Sequence, residues 1–279
     1  MKNEKAIAAV LGSDVSKSRS PAIHNAAFRA LGQEGTYICV NVDARRFANH
    51  VRQFRSEGFR YLNVTIPHKL RAARMADERD RGPEVRVSGA ANTLIFEKGR
   101  IRAENTDGYG LLAALEDLEF SPRGETVVVV GAGGAAAGGV EALTRGGARV
   151  KLLPRRIRAG KHLKSRLSDK QQRLVQVLRW EDNLEDELRS AAALVSAVPA
   201  SAWNSDERLE GLEGLSKNTV VLEMAYGAPT PLAAAVRRRT RHYADGLGML
   251  VHQAARAIEL ALGEKPPLPP LFKAAQQTS

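Results

Sequence analysis

The sequence has one cysteine, few aromatic residues and no long apolar run. Because Cys39 is the only cysteine among 279 residues, a disulfide within the chain and a zinc site built on a cysteine cluster are excluded. Cys39 lies in the strand-like run TYICVNV, where we expect a small core residue. No stretch of about 18 apolar residues occurs, and the N-terminus lacks a hydrophobic segment followed by a small-residue cleavage site. We therefore expect a cytoplasmic protein with no membrane role.

The positive charge lacks the features of a nucleic-acid surface. The net charge is +11, and Arg and Lys cluster at 155–158, 161–166 and 237–241. Aromatic residues make up only 5% of the chain, and none interrupts these basic runs to stack on bases. We expect a solvated basic surface that could also attract anionic ligands, and no nucleic-acid partner. The alternative, nucleic-acid binding, predicts salt-dependent retention on DNA.

Strand-like and helix-like segments alternate in two blocks, which predicts an α/β fold of two domains with a cleft between them. The first block should form a mixed sheet, with three strands and a hairpin at Ala6 to Leu11, Tyr37 to Val42, Tyr61 to Thr65, Thr93 to Phe96 and Arg100 to Ala103. The second block begins with the β-branched run TVVVV and repeats strand and helix, as in a parallel Rossmann-type sheet.

A glycine-rich turn follows the run TVVVV. Gly131, Gly133 and Ala136 match the pattern G-x-G-x-x-G/A between a buried-type strand and a helix. Small residues there allow a tight turn and close approach of the backbone to a pyrophosphate, and the helix N-terminus supplies N–H groups. A glycine-rich packing turn is the alternative. The predicted dinucleotide-binding residues are Gly131, Ala132, Gly133, Gly134 and Ala135.

The residues after the next strand distinguish NADP from NAD. A carboxylate there would bind the ribose diol of NAD, whereas arginines suit the additional phosphate of NADP. The chain has Arg155 and Arg156 at this point, and between Gly131 and Ser168 its only acidic residue is Glu141, inside the predicted helix. We therefore predict NADP, bound through Arg155 and Arg156. The alternative is that these arginines are merely exposed.

The domain boundaries follow from these assignments. We predict a substrate-binding catalytic domain over residues 1–108, completed by residues 246–279, and an NADP-binding Rossmann-like domain over residues 109–245. The final helix, about Leu247 to Leu262, should return to the first domain. The proline-rich stretch Pro266 to Pro270 is expected to end regular structure.

Three segments place polar side chains beside Gly or Pro turns: NVTIPHK at 63–69, ENTDG at 104–108 and DGLGMLVHQ at 245–253. This pattern is typical of a pocket for a small hydroxylated ligand. A hydride transfer between a nicotinamide cofactor and a substrate also requires the transfer of one proton. Because no metal-ligand spacing is recognisable in the sequence, a side chain must donate or accept that proton. Lys69 is the leading acid–base candidate and Asp107 its carboxylate partner. Two unrelated surface charges are the alternative.

His24, His68, Trp180 and Trp203 are the other candidates for a role at a site. A single histidine beside a turn more often makes a structural hydrogen bond. We therefore expect structural roles for both histidines and packing roles for both tryptophans.

The motifs NVTIPHK, GAANT, ENTDG, GAGGAA and DGLGMLVHQAA occur in order along nearly the whole chain. In this order and spacing the chain resembles the shikimate dehydrogenase family. The resemblance implies an NADP-dependent oxidoreductase that reversibly reduces 3-dehydroshikimate to shikimate in aromatic amino-acid biosynthesis. It also implies a small-molecule partner and a monomer or homodimer.

The resemblance assigns roles to individual residues. Lys69 and Asp107 would form the catalytic pair, with Met224 and Gly246 beside the nicotinamide. Asn63 would hold its loop, and Ser20 could simply cap the helix that follows it. The implied substrate contacts are Ser18, Ser20, Thr65, Asn92, Asp107, Tyr226 and Gln253.

Four segments depart from the family pattern. Lys17 replaces the histidine of H-S-x-S-P, and Pro154 replaces the asparagine of N-R-T. The loop N-A-T-P-x-G-M reads SAVPASA at 196–202, and the turn Y-N-P reads YGAP at 226–229. The alternatives are therefore a quinate or aminoshikimate dehydrogenase of the same family, or a sensor of shikimate or NADP without catalysis. The absence of an acid near Arg155 argues against an NAD-dependent quinate enzyme.

Overall fold

The chain forms two compact units in the computed structural model, which describes residues 5–277, with the backbone only at Asp182 and Asn183. One unit comprises Met1–Gly110 and Leu250–Ser279, and the other comprises Leu111–Met249. The first unit is thus assembled from two separate parts of the sequence, whereas the second is continuous.

The first unit is built on a five-stranded mixed sheet. Its elements in chain order are β1 (Ala6–Gly12), α1 (Ser20–Ala30), β2 (Thr36–Asn41), α2 (Phe47–Ser56), β3 (Tyr61–Val64), α3 (Lys69–Ala73), α4 (Pro83–Ser88), β4 (Thr93–Glu97), β5 (Arg100–Glu104) and the start of α5 (Asp107–Glu116). The strand order is β2-β1-β3-β4-β5. β1 is parallel to β2 and β3, whereas β4 is antiparallel to β3 and β5. The predicted mixed sheet with a hairpin is confirmed.

The two faces of this sheet carry different side chains, because successive strand residues point to opposite sides. One face packs Leu11, Leu62 and Leu94 against the buried side chains Phe47 and Val51 of α2. Each such side chain contributes about 1.5–3 kcal/mol when it leaves water. The other face carries tyrosines and is covered by α1, with polar groups that are described with the site below.

The second unit contains a six-stranded parallel sheet. Its elements are β6 (Thr126–Val130), α6 (Gly134–Arg145), β7 (Arg149–Leu153), α7 (Ile157–Ser165), α8 (Asp169–Gln172), β8 (Val175–Val177), α9 (Trp180–Arg189), β9 (Ala193–Ser196), α10 (Asp206–Glu210), β10 (Val220–Glu223), α11 (Pro231–Val236) and β11 (Tyr243–Ala244). The order β11-β10-β9-β6-β7-β8, all parallel, is that of a Rossmann sheet. The sequence prediction missed β8 and β11, which are too short to show a periodic pattern.

The core of the second unit surrounds the valine run of β6. Val128 and Val130 are fully buried and belong to a cluster that also contains Trp180 and Trp203. The two indoles meet edge to face with centroids 5.1 Å apart, and both are buried. This confirms the prediction that the tryptophans are packing residues.

Two helices end the chain, α12 (Leu247–Leu262) and α13 (Leu268–Gln276). The prediction that Pro266 to Pro270 ends regular structure is wrong. Prolines occupy the first turn of α13, where their missing N–H groups have no intrahelical partner in any case. The helix packs on α1, and the Arg19 guanidinium donates to the carbonyl oxygen of Ala275 at 2.7 Å. The predicted bounds of α12 are confirmed.

Cys39 is only half-buried, because β2 is an edge strand of the first sheet. The expectation of a core position is therefore only partly met. Within residues 5–277, no group of three or more His, Cys, Asp and Glu side chains is arranged to hold a metal ion. Over the same described part of the chain, none of the helices combines the length and apolar character required to span a bilayer.

Candidate active site

Lys69 and Asp107 lie at the first positions of two helices in the first unit. Lys69 begins α3 and Asp107 begins α5. The Lys69 Nζ donates to Asp107 Oδ2 at 2.6 Å, and the two side chains are only 14% and 7% exposed. A carboxylate at a helix N-terminus is favoured by the partial positive charge of the unpaired N–H groups. The structure thus joins the two predicted residues in a largely buried ion pair.

The segment between β3 and α3 holds Lys69 in place. The backbone N–H of His68 donates to the Thr65 carbonyl at 2.9 Å, which closes a turn before the helix. The His68 ring packs on Phe47 with centroids 4.9 Å apart, and its Nε2 lies 2.6 Å from the Val42 carbonyl oxygen. His68 therefore has a structural role, as predicted.

Asn92 holds the other oxygen of the carboxylate. Its Nδ2 donates to Asp107 Oδ1 at 2.8 Å, and the asparagine side chain is buried. Gln253 in α12 joins the same cluster, with its Oε1 3.3 Å from both Asn92 Nδ2 and Thr106 Oγ1. Four of the predicted site residues thus converge on one point. Thr106 completes the cluster but was not selected from the sequence, although it lies within the motif ENTDG.

The remaining predicted substrate ligands of the first unit lie in two turns. Ser20 is the first residue of α1, and the Ser18 hydroxyl accepts from its backbone N–H at 3.2 Å. Ser20 does not cap the helix, because the N-cap position belongs to Arg19. Thr65 is half-buried against Gly12, where a Cβ would lie 2.5 Å from its methyl group. Glycine at position 12 therefore allows Thr65 to sit at the end of β1.

His24 lies apart from these turns, in α1, against the face of the first sheet that carries the tyrosines. It stacks on Tyr37 with centroids 4.0 Å apart, and its Nδ1 is 2.6 Å from the Tyr61 hydroxyl. Burial lowers the pKa of His24 to about 3, so the ring stays neutral at ordinary pH. Its role is structural, as predicted.

The glycine-rich turn lies at the carboxyl ends of the central strands of the second unit. Gly131 has φ of +114°, and a Cβ there would come within 2.8 Å of the Ala197 carbonyl oxygen. Only glycine fits, because both the backbone angle and the space exclude a side chain. Gly133 is the N-cap of α6, so the helix N-terminus faces this turn. The turn lies between β6 and β9, where a Rossmann sheet reverses its strand order and binds ligands.

Arg155 and Arg156 are exposed directly after β7, the neighbour of β6. Pro154, the residue before them, is buried, and a Cβ at Gly160 would lie 2.7 Å from its ring. Pro154 therefore packs the end of β7 against α7, and the two arginines that follow it are exposed.

Met224 and Gly246 are neighbours in the second unit. A Cβ at Gly246 would collide with the Met224 backbone, and the Gly246 N–H donates to the Ala225 carbonyl at 3.0 Å. Tyr226, which follows in the same loop, is half-buried. Gly227, which follows Tyr226 where the family has asparagine, has φ of +95°, a backbone angle that favours glycine.

Glu223 is a buried carboxyl group that sequence reasoning missed. It ends β10, and its Oε2 accepts from the hydroxyls of Thr230 at 2.6 Å and Tyr243 at 2.9 Å. Burial raises the pKa of Glu223. The signal in the sequence was an acid that directly continues the apolar strand VVL. Glu223 ties both ends of the loop 224–229 together.

Comparison with known proteins decides the family. Residues 10–94 match the model of the shikimate dehydrogenase substrate binding domain. Shikimate dehydrogenase (NADP(+)) of Methanopyrus kandleri is 36% identical over 271 residues, which cover 95% of this chain and 93% of the relative. The chain belongs to the shikimate dehydrogenase family.

Solved shikimate dehydrogenases share the fold over their full length. The Mycobacterium tuberculosis enzyme is 32% identical, with a TM-score of 0.81 and coverage of 96% of this chain and 97% of that one. The Thermus thermophilus enzyme, solved with NADP(H) and shikimate, is 26% identical, with a TM-score of 0.82 and coverage of 98% and 99%.

The segment 196–202, which departs from the shikimate dehydrogenase pattern, contains a serine that is hydrogen-bonded to a buried tryptophan. Ser196 stands where the family has asparagine, and its hydroxyl accepts from the Trp203 Nε1 at 2.9 Å. Ser196 and Trp203 are both fully buried. The serine therefore satisfies the buried indole N–H. Nothing in the structure explains Lys17, whose side chain is exposed.

Proposed function

We propose that the chain is an NADP-dependent shikimate dehydrogenase that reversibly reduces 3-dehydroshikimate to shikimate, a step of aromatic amino-acid biosynthesis. The observation that carries the proposal is the 2.6 Å ion pair of Lys69 and Asp107, largely buried among amide and hydroxyl side chains. A lysine in that setting can exchange a proton with a substrate oxygen. Membership of the family supports the substrate and the cofactor.

Lys69 manages the proton of the reaction. When bound, NADP(H) supplies or accepts the hydride. As the carbonyl carbon of 3-dehydroshikimate gains a C–H bond, the π electrons move to oxygen and the Lys69 ammonium donates its proton there. In the opposite direction the neutral amine takes the proton from the hydroxyl. Asp107 keeps Nζ oriented through both stages and accepts from a ring hydroxyl.

The substrate is recognised by polar side chains at the start of α1, after β3, before β4, in α12 and in the loop 224–229. Ser18 and Ser20 donate to its carboxylate, and Thr65 and Asn92 contact ring hydroxyls. Support for this assignment comes from Asn92 and Gln253, which meet Asp107 in one cluster. The proposed ligands, in which Tyr226 completes the set, are Ser18, Ser20, Thr65, Asn92, Asp107, Tyr226 and Gln253.

The second unit binds NADP(H) in this proposal. Gly131 supports it, because only glycine permits this tight turn after β6. Gly133 at the N-cap of α6 supports it because a Cβ there would meet nothing within 4 Å, which leaves room for a pyrophosphate to approach the backbone. The binding turn comprises Gly131, Ala132, Gly133, Gly134 and Ala135. Arg155 and Arg156 contact the 2′-phosphate, because a guanidinium can form two hydrogen bonds with it. Met224 and Gly246 border the nicotinamide.

The test is a rate measurement with four pairs of reagents: shikimate or quinate, each with NADP⁺ or NAD⁺. We expect the highest kcat/KM for shikimate with NADP⁺, recorded as formation of reduced nicotinamide. Faster turnover of quinate or of an amino analogue would assign another member of the family. Tight binding of shikimate without turnover would identify a sensor and overturn the proposal.

We further propose a cytoplasmic location and a monomer or homodimer. The location follows from the proposed reaction, which draws on a pool of NADP(H). Light scattering after gel filtration measures the oligomeric state, and a trimer or larger assembly would contradict the proposal. Cell fractionation tests the location, and activity in a membrane or secreted fraction would contradict it.

A further inference from the structure

A line of hydrogen bonds crosses the first unit and ends at the catalytic carboxylate. The Tyr37 hydroxyl donates to Asn63 Oδ1 at 2.8 Å, and Asn63 Nδ2 donates to Thr93 Oγ1 at 3.1 Å. The Thr93 hydroxyl donates to Asn92 Oδ1 at 2.9 Å, and Asn92 Nδ2 donates to Asp107 Oδ1 at 2.8 Å. All five residues are buried, with at most 7% of any of them exposed. We call Tyr37, Asn63 and Thr93 the relay.

Backbone groups fix the orientation of the Asn92 and Asn63 amides, and these two orientations determine the donor and the acceptor in the other hydrogen bonds of the line. Thr106 N–H donates to Asn92 Oδ1 at 2.9 Å, so the oxygen of that amide must face Thr106 and its NH₂ group must face Asp107. Asn63 Nδ2 also faces the Asn92 backbone carbonyl at 3.3 Å, an acceptor only. Since Asn63 donates to Thr93, the threonine proton is free to point to Asn92. Burial keeps the pKa of Tyr37 well above its usual value, so the phenol remains a donor.

The sheet places the relay by register. Asn63 on β3 and Thr93 on β4 are directly opposite in the antiparallel pair, where side chains on one face are close enough to bond. Ala8 of β1 is aligned with Tyr37 on β2 and Tyr61 on β3. Its small side chain leaves room for the Tyr37 ring to reach Asn63 across the intervening strand. His24 then covers that ring from α1.

We propose that Thr93, supported by Asn63 and Tyr37, is a positioning residue that keeps Asn92 turned so that its amide donates to Asp107. The opposite orientation would bring the Asn92 oxygen against a carboxylate oxygen, acceptor against acceptor. The Thr93 hydroxyl and the Thr106 N–H, each at 2.9 Å, and the Thr106 hydroxyl at 3.3 Å donate to the Asn92 oxygen and oppose that orientation. The inference deepens the proposed function and rests on it.

The relay matters most when Lys69 has given up its proton. At that stage the ion pair is lost and the neutral amine is only a weak donor, so the Asn92 amide is the stronger of the two groups that hold the carboxylate. Misorientation of Asp107 would then slow reprotonation and the reverse transfer. The relay therefore acts on kcat more than on substrate binding.

Three variants test the inference. Thr93→Val removes the hydroxyl at nearly constant volume and should lower kcat by roughly 5- to 30-fold, the equivalent of one or two ordinary hydrogen bonds, with a smaller change in KM. Thr93→Ser keeps the hydroxyl and should restore most of kcat. Tyr37→Phe, two bonds further from Asp107, should lower kcat less. The control is Thr240→Val, a buried threonine in the second unit whose hydroxyl bonds to the backbone carbonyls of Lys217 and Thr219 and accepts from the His242 N–H. Its kcat should equal that of the wild type.

The outcomes separate the relay from general damage. Wild-type kcat in Thr93→Val, no rescue by Thr93→Ser, or an equal loss in Thr240→Val would each overturn the inference while the proposed function stands. If the wild type does not turn over shikimate, the proposed function fails instead. The relay is then judged by thermal unfolding of Thr93→Val, Asp107→Asn and the double variant. Non-additive changes in Tm support it and additive changes refute it.

Discussion

Replacing Asp107 with asparagine leaves the Lys69 ammonium without its counter-charge at a position where the lysine side chain is only 14% exposed. At 2.6 Å and an effective dielectric constant of about 20, the lost attraction is about 6 kcal/mol before the gain in solvation is counted. Breaking a buried pair by removing one partner costs about 3–5 kcal/mol, so we expect Asp107→Asn to lose that much free energy of unfolding. This is a large share of the roughly 5–15 kcal/mol by which proteins are stable.

Removal of the lysine should cost less than removal of the aspartate. In Lys69→Met the carboxylate keeps the donor from Asn92 and its place at the N-terminus of α5. The double variant Lys69→Met/Asp107→Asn buries no unpaired charge, so it should be more stable than Asp107→Asn alone. We expect a coupling free energy of about 2–3 kcal/mol between the two positions.

Urea unfolding followed by far-UV circular dichroism measures all four proteins. Tryptophan fluorescence is recorded in parallel, because both tryptophans lie in the second unit and report that unit. The control is Asp186→Asn, which removes an exposed ion pair with Arg189 and should change stability by less than about 0.5 kcal/mol. Additive losses in the two single variants would show that the pair contributes no coupled stability, and would refute the reasoning.

Three further predictions concern activity and pH. Lys69→Ala should lose several orders of magnitude in kcat with a modest change in KM, because the proton is exchanged mainly in the transition state; near-normal turnover would remove Lys69 from the mechanism. Arg155→Glu should raise KM for NADP⁺ and leave KM for NAD⁺ equal or lower; parallel changes for both cofactors would show that Arg155 does not contact the 2′-phosphate. Glu223 has a raised pKa in the folded state, so the wild type loses stability as pH rises from its ordinary value of 4.5 through the raised one. Glu223→Gln keeps an acceptor for Thr230 and Tyr243 without the charge, so its Tm relative to the wild type should increase as the pH rises above 4.5, and a constant difference would contradict this.

Lys69 and Asp107 could be predicted from the sequence because each lies in a short motif whose neighbours along the chain already suggest a site. Their meeting across 38 positions could not be predicted from residue spacing alone, since it depends on how β3, β4 and β5 pair. For the same reason the relay could not be predicted from the sequence. Tyr37 and Thr93 look like ordinary strand residues, and only the register of the sheet brings them into one line with Asp107.

The errors in the fold prediction have local causes. Prolines at the start of α13 look like helix breakers in a sequence, yet the first turn of a helix accepts them. The strands β8 and β11 depend on pairing with their neighbours rather than on any pattern of their own. By contrast, the glycine turn at Gly131 was predicted correctly as a tight turn, because its conformation excludes every other residue and so leaves a direct mark on the sequence.

Because the first unit is built from two separate parts of the sequence, its parts are synthesised at different times. Lys69, Asn92 and Asp107 are synthesised early, whereas Gln253 and α13, which packs on α1, emerge only after the whole second unit has been translated. The first unit therefore cannot complete its fold on the ribosome until its final helices have been synthesised, whereas the continuous second unit can already fold. A slow stretch of codons before Leu250 would prolong this incomplete stage without altering a single amino acid.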